Sequence, residues 1–243
     1  MCWGSFLNVV GYRIIRGKSF ITPRSRCPHC NHAIAWYDNI PVISWLLLNG
    51  HCRSCKKPIS ILYPFIELVT AIVMSLLYLN VDHHYFFGYF FFFSALIVTI
   101  RSDLETMLIS RWATLFLIPI SLWLCYAGLL PLTLHTGIIG TCFGYLTLTV
   151  LRTTFFMFTG KEGLGQGDLD LLAFIGSCTG IIGCWVALLI GSIAGSCYGI
   201  GYSRITGNKH SLKIPFGPFL ALSAIAYVLW QPIFIFLLLR HTI

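Results

Sequence analysis

At 243 residues, with 57% hydrophobic and only 10% charged, the chain has too few polar groups to build a water-facing surface; a soluble domain carries about 25% charged residues. Lipid is the alternative solvent, and each span needs roughly 20 mostly apolar residues. The net charge of +8 is gathered rather than spread, with eight Lys and Arg between Arg13 and Lys57 opposed there by Asp38 alone, which in a chain of spans marks a cytosolic loop rather than a nucleic-acid surface.

In chain order, hydropathy predicts a short apolar start at 1–10 and then spans at 63–79, 86–100, 112–130, 136–151, 171–183, 184–202 and 214–239. The first is too short to cross about 30 Å of hydrocarbon, so it reads as a partial span. No small-residue cleavage site follows it, and no cleavable signal peptide is expected. The boundary between 171–183 and 184–202 is the weakest, because little polar punctuation separates them. Gly191, Gly195 and Gly199 recur every fourth residue and predict a close helix–helix approach.

Counting spans from a cytosolic 13–57 loop tests this plan. Residues 82–84 and 131–135 then lie outside, and 101–111, 152–170 and 204–213 lie inside. Fifteen of the sixteen Lys and Arg fall on the cytosolic side, with Arg240 the exception. A shift of one span would destroy that asymmetry.

The basic loop holds two C-x-x-C pairs, Cys27/Cys30 and Cys52/Cys55, separated by 21 residues. Two tight turns presenting two sulfurs each suit tetrahedral zinc. The loop is polar and short, and a structural metal supplies the folding energy that its small apolar content cannot. Disulfides are disfavoured in a reducing cytosol, and a redox site needs one such pair, not two. His29, His32 and His51 lie close in sequence, but four sulfurs already close a site. Cys2, Cys125, Cys142, Cys178, Cys184 and Cys197 fall in apolar segments, where cysteine behaves as a small hydrophobe. The fold class expected is an all-α polytopic membrane protein of about seven full transmembrane helices plus the partial first span. Its divisions are 1–12 for the partial span, 13–62 for a cytosolic zinc-binding loop and 63–243 for a transmembrane domain.

Acidic residues number only eight. Asp103 follows the 86–100 span and Asp168 precedes the 171–183 span, both on the cytosolic edge by the count. Carboxylates at the edge of a span are costly unless they have a task. Two at one depth can share a proton, giving one acid and one base around a water that attacks an amide. Glycines at 163, 165 and 167 loosen the approach to Asp168, so that an extended substrate can lie close to Gly165 and Gly167. Singly, each aspartate reads as a helix-end charge favoured by the dipole, and Glu105, Glu162 and Asp170 are assigned that role.

Ordered segments along nearly the whole chain resemble the type IV prepilin peptidases, a family of bacterial inner-membrane aspartic proteases. They are Gly4-Ser-Phe-Leu-Asn-Val-Val, Arg24-Ser-Arg-Cys-Pro-His-Cys, Asp38-Asn-Ile-Pro-Val-Ile-Ser-Trp-Leu, Gly50-His-Cys-Arg-Ser-Cys and Tyr63-Pro-Phe-Ile-Glu, then Asp103-Leu-Glu-Thr, Gly165-Gln-Gly-Asp and Ile214-Pro-Phe-Gly-Pro-Phe-Leu. The resemblance implies Asp103 and Asp168 as catalytic, and cleavage of the basic leader of prepilins or pseudopilins after a glycine. It also implies methylation of the new amino group from S-adenosylmethionine. Gly50 and Glu67 fall in regions that the family associates with that second step, although Glu67 also reads as a helix-end acid paired with a nearby lysine.

Four positions depart from the family pattern. Ser110 stands for a proline, Asp170 for the lysine of G-x-G-D-x-Lys, Leu62 for an arginine before Tyr-Pro, and His51 for a basic residue. Asp170 puts a negative charge beside Asp168 where a positive one is usual. These departures bear on methyl transfer more than on cleavage. They also keep open a non-catalytic, zinc-bearing scaffold for pilin-like helices. A proton-coupled transporter would place its acids at mid-span, and here they sit at the edge.

Overall fold

The computed structural model describes residues 1–19, 25–160, 163–206 and 215–231, with Trp112 and Ala113 described by backbone alone. The chain forms two units, Met1–Leu76 and Leu77–Ile243. Among the described residues there are eight α-helices and no strand beyond two isolated bridges. Leu62–Asn80, Phe86–Thr106, Leu134–Thr159 and Gln166–Ile205 are long and apolar enough to cross a membrane, and Thr114–Tyr126 and Gly217–Leu229 are shorter apolar helices. Residues 207–214 and 232–243, assigned from sequence to a basic loop and the end of the last span, lie outside the described residues, as do Arg24, Glu162 and Arg240.

In the first unit, α1 (Cys2–Ile14) lies against the helix α3 (Leu62–Asn80). Asn8, 1% exposed, donates its side-chain N–H to the Tyr63 carbonyl at 3.1 Å. A Cβ on Gly4 would lie 3.0 Å from the Glu67 Cα, so the two backbones are nearly touching. Between them come the two C-x-x-C turns, a 3₁₀ turn at Trp36–Asn39 and the short helix α2 (Ile43–Leu47).

In the second unit, α4 (Phe86–Thr106), α5 (Arg111–Tyr126), α6 (Leu134–Thr159), α7 (Gln166–Thr206) and α8 (Gly217–Leu229) pack on one another. Several boundaries differ from those read in sequence. Helix α4 continues past residue 100 because an i,i+4 pair of Arg101 with Glu105 carries it on, and Met107 ends it in the left-handed conformation, φ 54°. Asp103 is thus inside the helix, not beyond it. Helix α5 stops at Tyr126, where Gly128 at φ 71° breaks the chain before the apolar run is exhausted. Helix α6 extends to Thr159 and closes on Gly160, φ 64°, whose N–H bonds the Phe156 carbonyl.

The weak boundary near 183 has a physical solution that polarity did not signal. Helix α7 is interrupted at Gly180, φ 69° and ψ −170°, backbone angles that favour glycine. The Cys184 thiol lies 3.9 Å from the Leu172 carbonyl. Twelve residues of straight helix would separate them by about 18 Å, so the chain turns back on itself at Gly180. Gly191 then faces α8, where a Cβ would lie 3.3 Å from the Leu220 backbone, in keeping with the expected close approach.

The closest helix contact of the second unit was not among the glycines singled out in sequence. Gly140 of α6 and Gly176 of α7 face each other so closely that a Cβ on either would overlap the other's carbonyl oxygen. A Cβ on Gly144 would overlap the Leu172 carbonyl in the same way one turn on. Ser121 and Ser177 bond each other between α5 and α7 at 2.5 Å. Gly140→Val is expected to lower unfolding free energy by about 1–3 kcal/mol through overpacking, read by thermal denaturation in detergent; Gly201→Val, at a place with open space around it, should change it by less than about 0.5 kcal/mol.

Candidate active site and metal centre

The two C-x-x-C segments fold alike. In the first, the Asn31 N–H bonds the Cys27 carbonyl at 2.9 Å and the Cys27 N–H bonds His32 at 3.0 Å. In the second, Lys56 bonds Cys52 at 3.0 Å and Cys52 bonds Lys57 at 2.9 Å. Asn31 and Lys56 share the left-handed conformation, φ 56° and 57°, and each turn is closed by one bridge, Arg26–Ala33 or His51–Pro58. The result brings the four sulfurs within 4.8 Å of one another, with Cys27 and Cys55 at 3.8 Å. Tetrahedral zinc at its usual bond length requires sulfurs about 3.8 Å apart, so the donor set fits a metal of that kind. Burial of Cys27 opposes its ionisation, but the amides of Cys30 and His29 together with the Cys30 and Cys52 thiols outweigh it and bring the thiol down to about 7. At Cys30 the His32 amide favours the thiolate, yet desolvation and the other three sulfurs win and raise it to about 11. Of the nearby histidines, His51 is turned to the Asn49 carbonyl at 2.6 Å.

Gly50 and Glu67 are both committed to internal contacts. Gly50, φ 69°, lies under the Trp45 ring, which a Cβ would meet at 2.8 Å. Glu67 is 7% exposed and accepts from the Val42 N–H at 2.8 Å and from the Ser5 hydroxyl, with no lysine partner of the kind read from sequence among the described residues. Val42 has φ 63° and ψ −51°, and the Ile43 N–H closes on Pro41 at 2.7 Å, a strained γ-turn that the carboxylate holds in place.

In the second unit, Asp103 is 4% exposed and accepts the Gly217 N–H at 3.1 Å, from the start of α8. Asp168 sits in the first turn of α7 and accepts the Gly165 N–H at 3.2 Å, the N3-to-N-cap half of a capping box. Ile109 packs against Gly217, whose N–H holds Asp103, and against Gly167, the residue before Asp168. A Cβ on Gly217 would lie 3.0 Å from the Ile109 side chain, and one on Gly167 would lie 2.7 Å from it. Asp103 is near enough for its charge to act on Asp168. Neither carboxylate has a salt-bridge partner within 4.0 Å among the described residues. An apolar cleft of 330 Å³ between α5, α6 and α7 includes Asp170 but neither Asp103 nor Asp168, and so does not mark this place.

The segment carrying Asp168 is held from both sides. Upstream, Gln166 accepts from Arg152 of α6 at 2.6 Å and donates to the Tyr145 hydroxyl at 3.3 Å. Downstream, Asp170, 1% exposed, pairs with Arg111 of α5 at 2.9 Å. The charge expected to press on Asp168 is therefore met elsewhere. Residues i and i+2 on a helix do not face each other, and Asp170 turns to α5. Ile109, Gly217, Gln166 and Arg111 went unassigned in sequence; for Arg111 the complementary sign of Asp170 was the available signal.

Residues 1–81 match the bacterial peptidase A24 N-terminal domain, and residues 90–200 match the type IV leader peptidase family. A prepilin leader peptidase/N-methyltransferase of Aeromonas hydrophila is 37% identical over 87% of this chain and 73% of its own length. The chain belongs to the type IV leader peptidase family. It is a membrane enzyme of a protease family. The family member from Pseudomonas aeruginosa with the same name as the Aeromonas protein is 31% identical over 93% of the chain and 86% of its own length. A type 4 prepilin-like proteins leader peptide-processing enzyme of Escherichia coli is 34% identical over 95% and 91%. No solved structure matches the chain.

Arg111→Asp and Asp170→Lys should each lower unfolding free energy by about 2 kcal/mol, the figure for a broken buried pair reduced because Arg111 is half exposed. The double variant should recover most of that loss. A double-mutant cycle on thermal unfolding measures it, and additive losses would exclude the pairing.

Proposed function

We propose that the chain is an aspartic endopeptidase that removes the basic leader of type IV prepilins or pseudopilins at the cytosolic face of the bacterial inner membrane. Asp103 and Asp168 are its catalytic pair. The observation that carries this reading is that each acid accepts one backbone amide and has no salt-bridge partner among the described residues, while Ile109 packs against the glycines beside both. One carboxylate accepts a proton from water as the water adds to the scissile carbonyl, and the other protonates the carbonyl oxygen. Collapse of the resulting diol expels the amine, which takes up a proton from the pair. Gly165 and Gly167 shape the turn before Asp168, Gly167 being packed against Ile109 and Gly165 lying beside the Asp168 carboxylate. The reading keeps about seven full spans, with 1–12 as a partial span, 13–62 as a cytosolic loop and 63–243 as the peptidase domain; the fold-back at Gly180 supports only the separation of the sixth and seventh segments.

Zinc held by Cys27, Cys30, Cys52 and Cys55 has a structural role, joining the two C-x-x-C turns. Methyl transfer from S-adenosylmethionine to the new N-terminus is the second activity in this reading, after the double names of the relatives. Gly50 and Glu67 do not fit direct contact with a methyl donor, since their space and hydrogen bonds are taken up internally. Their role is to shape the γ-turn and the second C-x-x-C turn.

Asp103→Asn and Asp168→Asn are each expected to abolish leader cleavage in proteoliposomes, by at least about 10³-fold, while membrane insertion persists. Full cleavage in both variants would leave only the scaffold reading. Purified protein should carry about one zinc per chain by elemental analysis, as a closed four-sulfur site requires; Cys27→Ser should lose it along with thermal stability, and metal-free protein of unchanged stability would refute the assignment.

A further inference from the structure

The zinc unit carries an apolar surface that neither the metal nor the peptidase reading uses. Trp36 is 81% exposed, Leu47 78%, Leu46 60%, Ile43 53%, Tyr37 51% and Ile40 39%. Ile43, Leu46 and Leu47 stand at i, i+3 and i+4 and share one face of α2. The opposite face is tied down. Ser44 donates its hydroxyl to the Tyr37 carbonyl at 2.8 Å and accepts the Ile40 N–H at 3.1 Å, while the Trp45 indole donates to the Ile59 carbonyl at 3.1 Å. Arg53 grips Asp38 through two nitrogens, at 2.7 and 2.8 Å. The apolar face is therefore a formed surface rather than a loose loop.

We propose that the 36–47 segment lies in the anionic headgroup layer of the membrane that the chain itself spans, with Ile43, Leu46 and Leu47 dipping below the headgroups and Trp36 and Tyr37 at their level. Three observations select this occupant. The loop leaves the apolar helix α1 and returns to the candidate span α3, so a bilayer surface is always within reach. Between Arg13 and Lys57 eight residues are basic, flanking the 36–47 segment, and Arg53 already pairs the one acid. That surplus attracts anionic lipid and repels the basic leader of the proposed substrate. The composition, aromatic rings beside an aliphatic ridge with lysines nearby, is that of an interfacial segment. This proposal needs only membership of the membrane and stands whether or not Asp103 and Asp168 are catalytic.

The test is hydrogen exchange, followed by mass spectrometry, on the full chain in nanodiscs. One set contains equal parts of phosphatidylglycerol and phosphatidylcholine, the other phosphatidylcholine alone. Amides of 36–47 should exchange at least about five-fold more slowly with the anionic lipid. Ile43→Asp/Leu47→Asp should abolish the difference, with zinc content unchanged as the check that the unit is folded. Equal exchange in the two nanodiscs overturns the proposal. So does slowing that appears only when a prepilin is added to the phosphatidylcholine set, which would make the surface a substrate site.

Discussion

The contact of Gly140 with Gly176 is the constraint from which the second unit follows. Neither helix can carry a side-chain carbon there, and bare backbone is what lets α6 and α7 run this close. In lipid, where apolar surface gains nothing by leaving solvent, such dispersion contact and short polar bonds between helices supply the association. The Ser121–Ser177 bond adds one of the latter. With α6 fixed along the first half of α7, its Arg152 reaches Gln166, and the segment bearing Asp168 starts from a determined place.

Both carboxylates are anchored by amides. The Gly217 and Gly165 N–H groups each satisfy one oxygen without supplying a full charge. A guanidinium in the same position would pin each group in its ionised form and remove its use in proton transfer. The cations that do occur nearby, Arg111 and Arg152, are drawn off to Asp170 and Gln166. They set the position of the segment, and among the described residues neither forms an ion pair with Asp103 or Asp168.

What could be read in sequence depended on scarcity. The four cysteines are paired by spacing in a polar loop, and Asp103 and Asp168 stand out among eight acids. Ile109 and Gly217 did not stand out, being an apolar residue and a glycine in a chain rich in both; only packing reveals that Ile109 lies against the glycines beside both acids. The turn at Gly180 was hidden for a related reason, since a chain in lipid reverses by backbone angle without polar residues. The role of Asp170 was misjudged because neighbours in sequence were treated as neighbours in space. Two positions along a helix is nearly the opposite face, and its partner lies on another helix.

That ion pair bears on how such proteins are recognised. In this chain the position two beyond the second aspartate carries a charge opposite to the one presented by α5. A pattern with a fixed lysine there does not describe this chain, whereas complementarity between the two helices does.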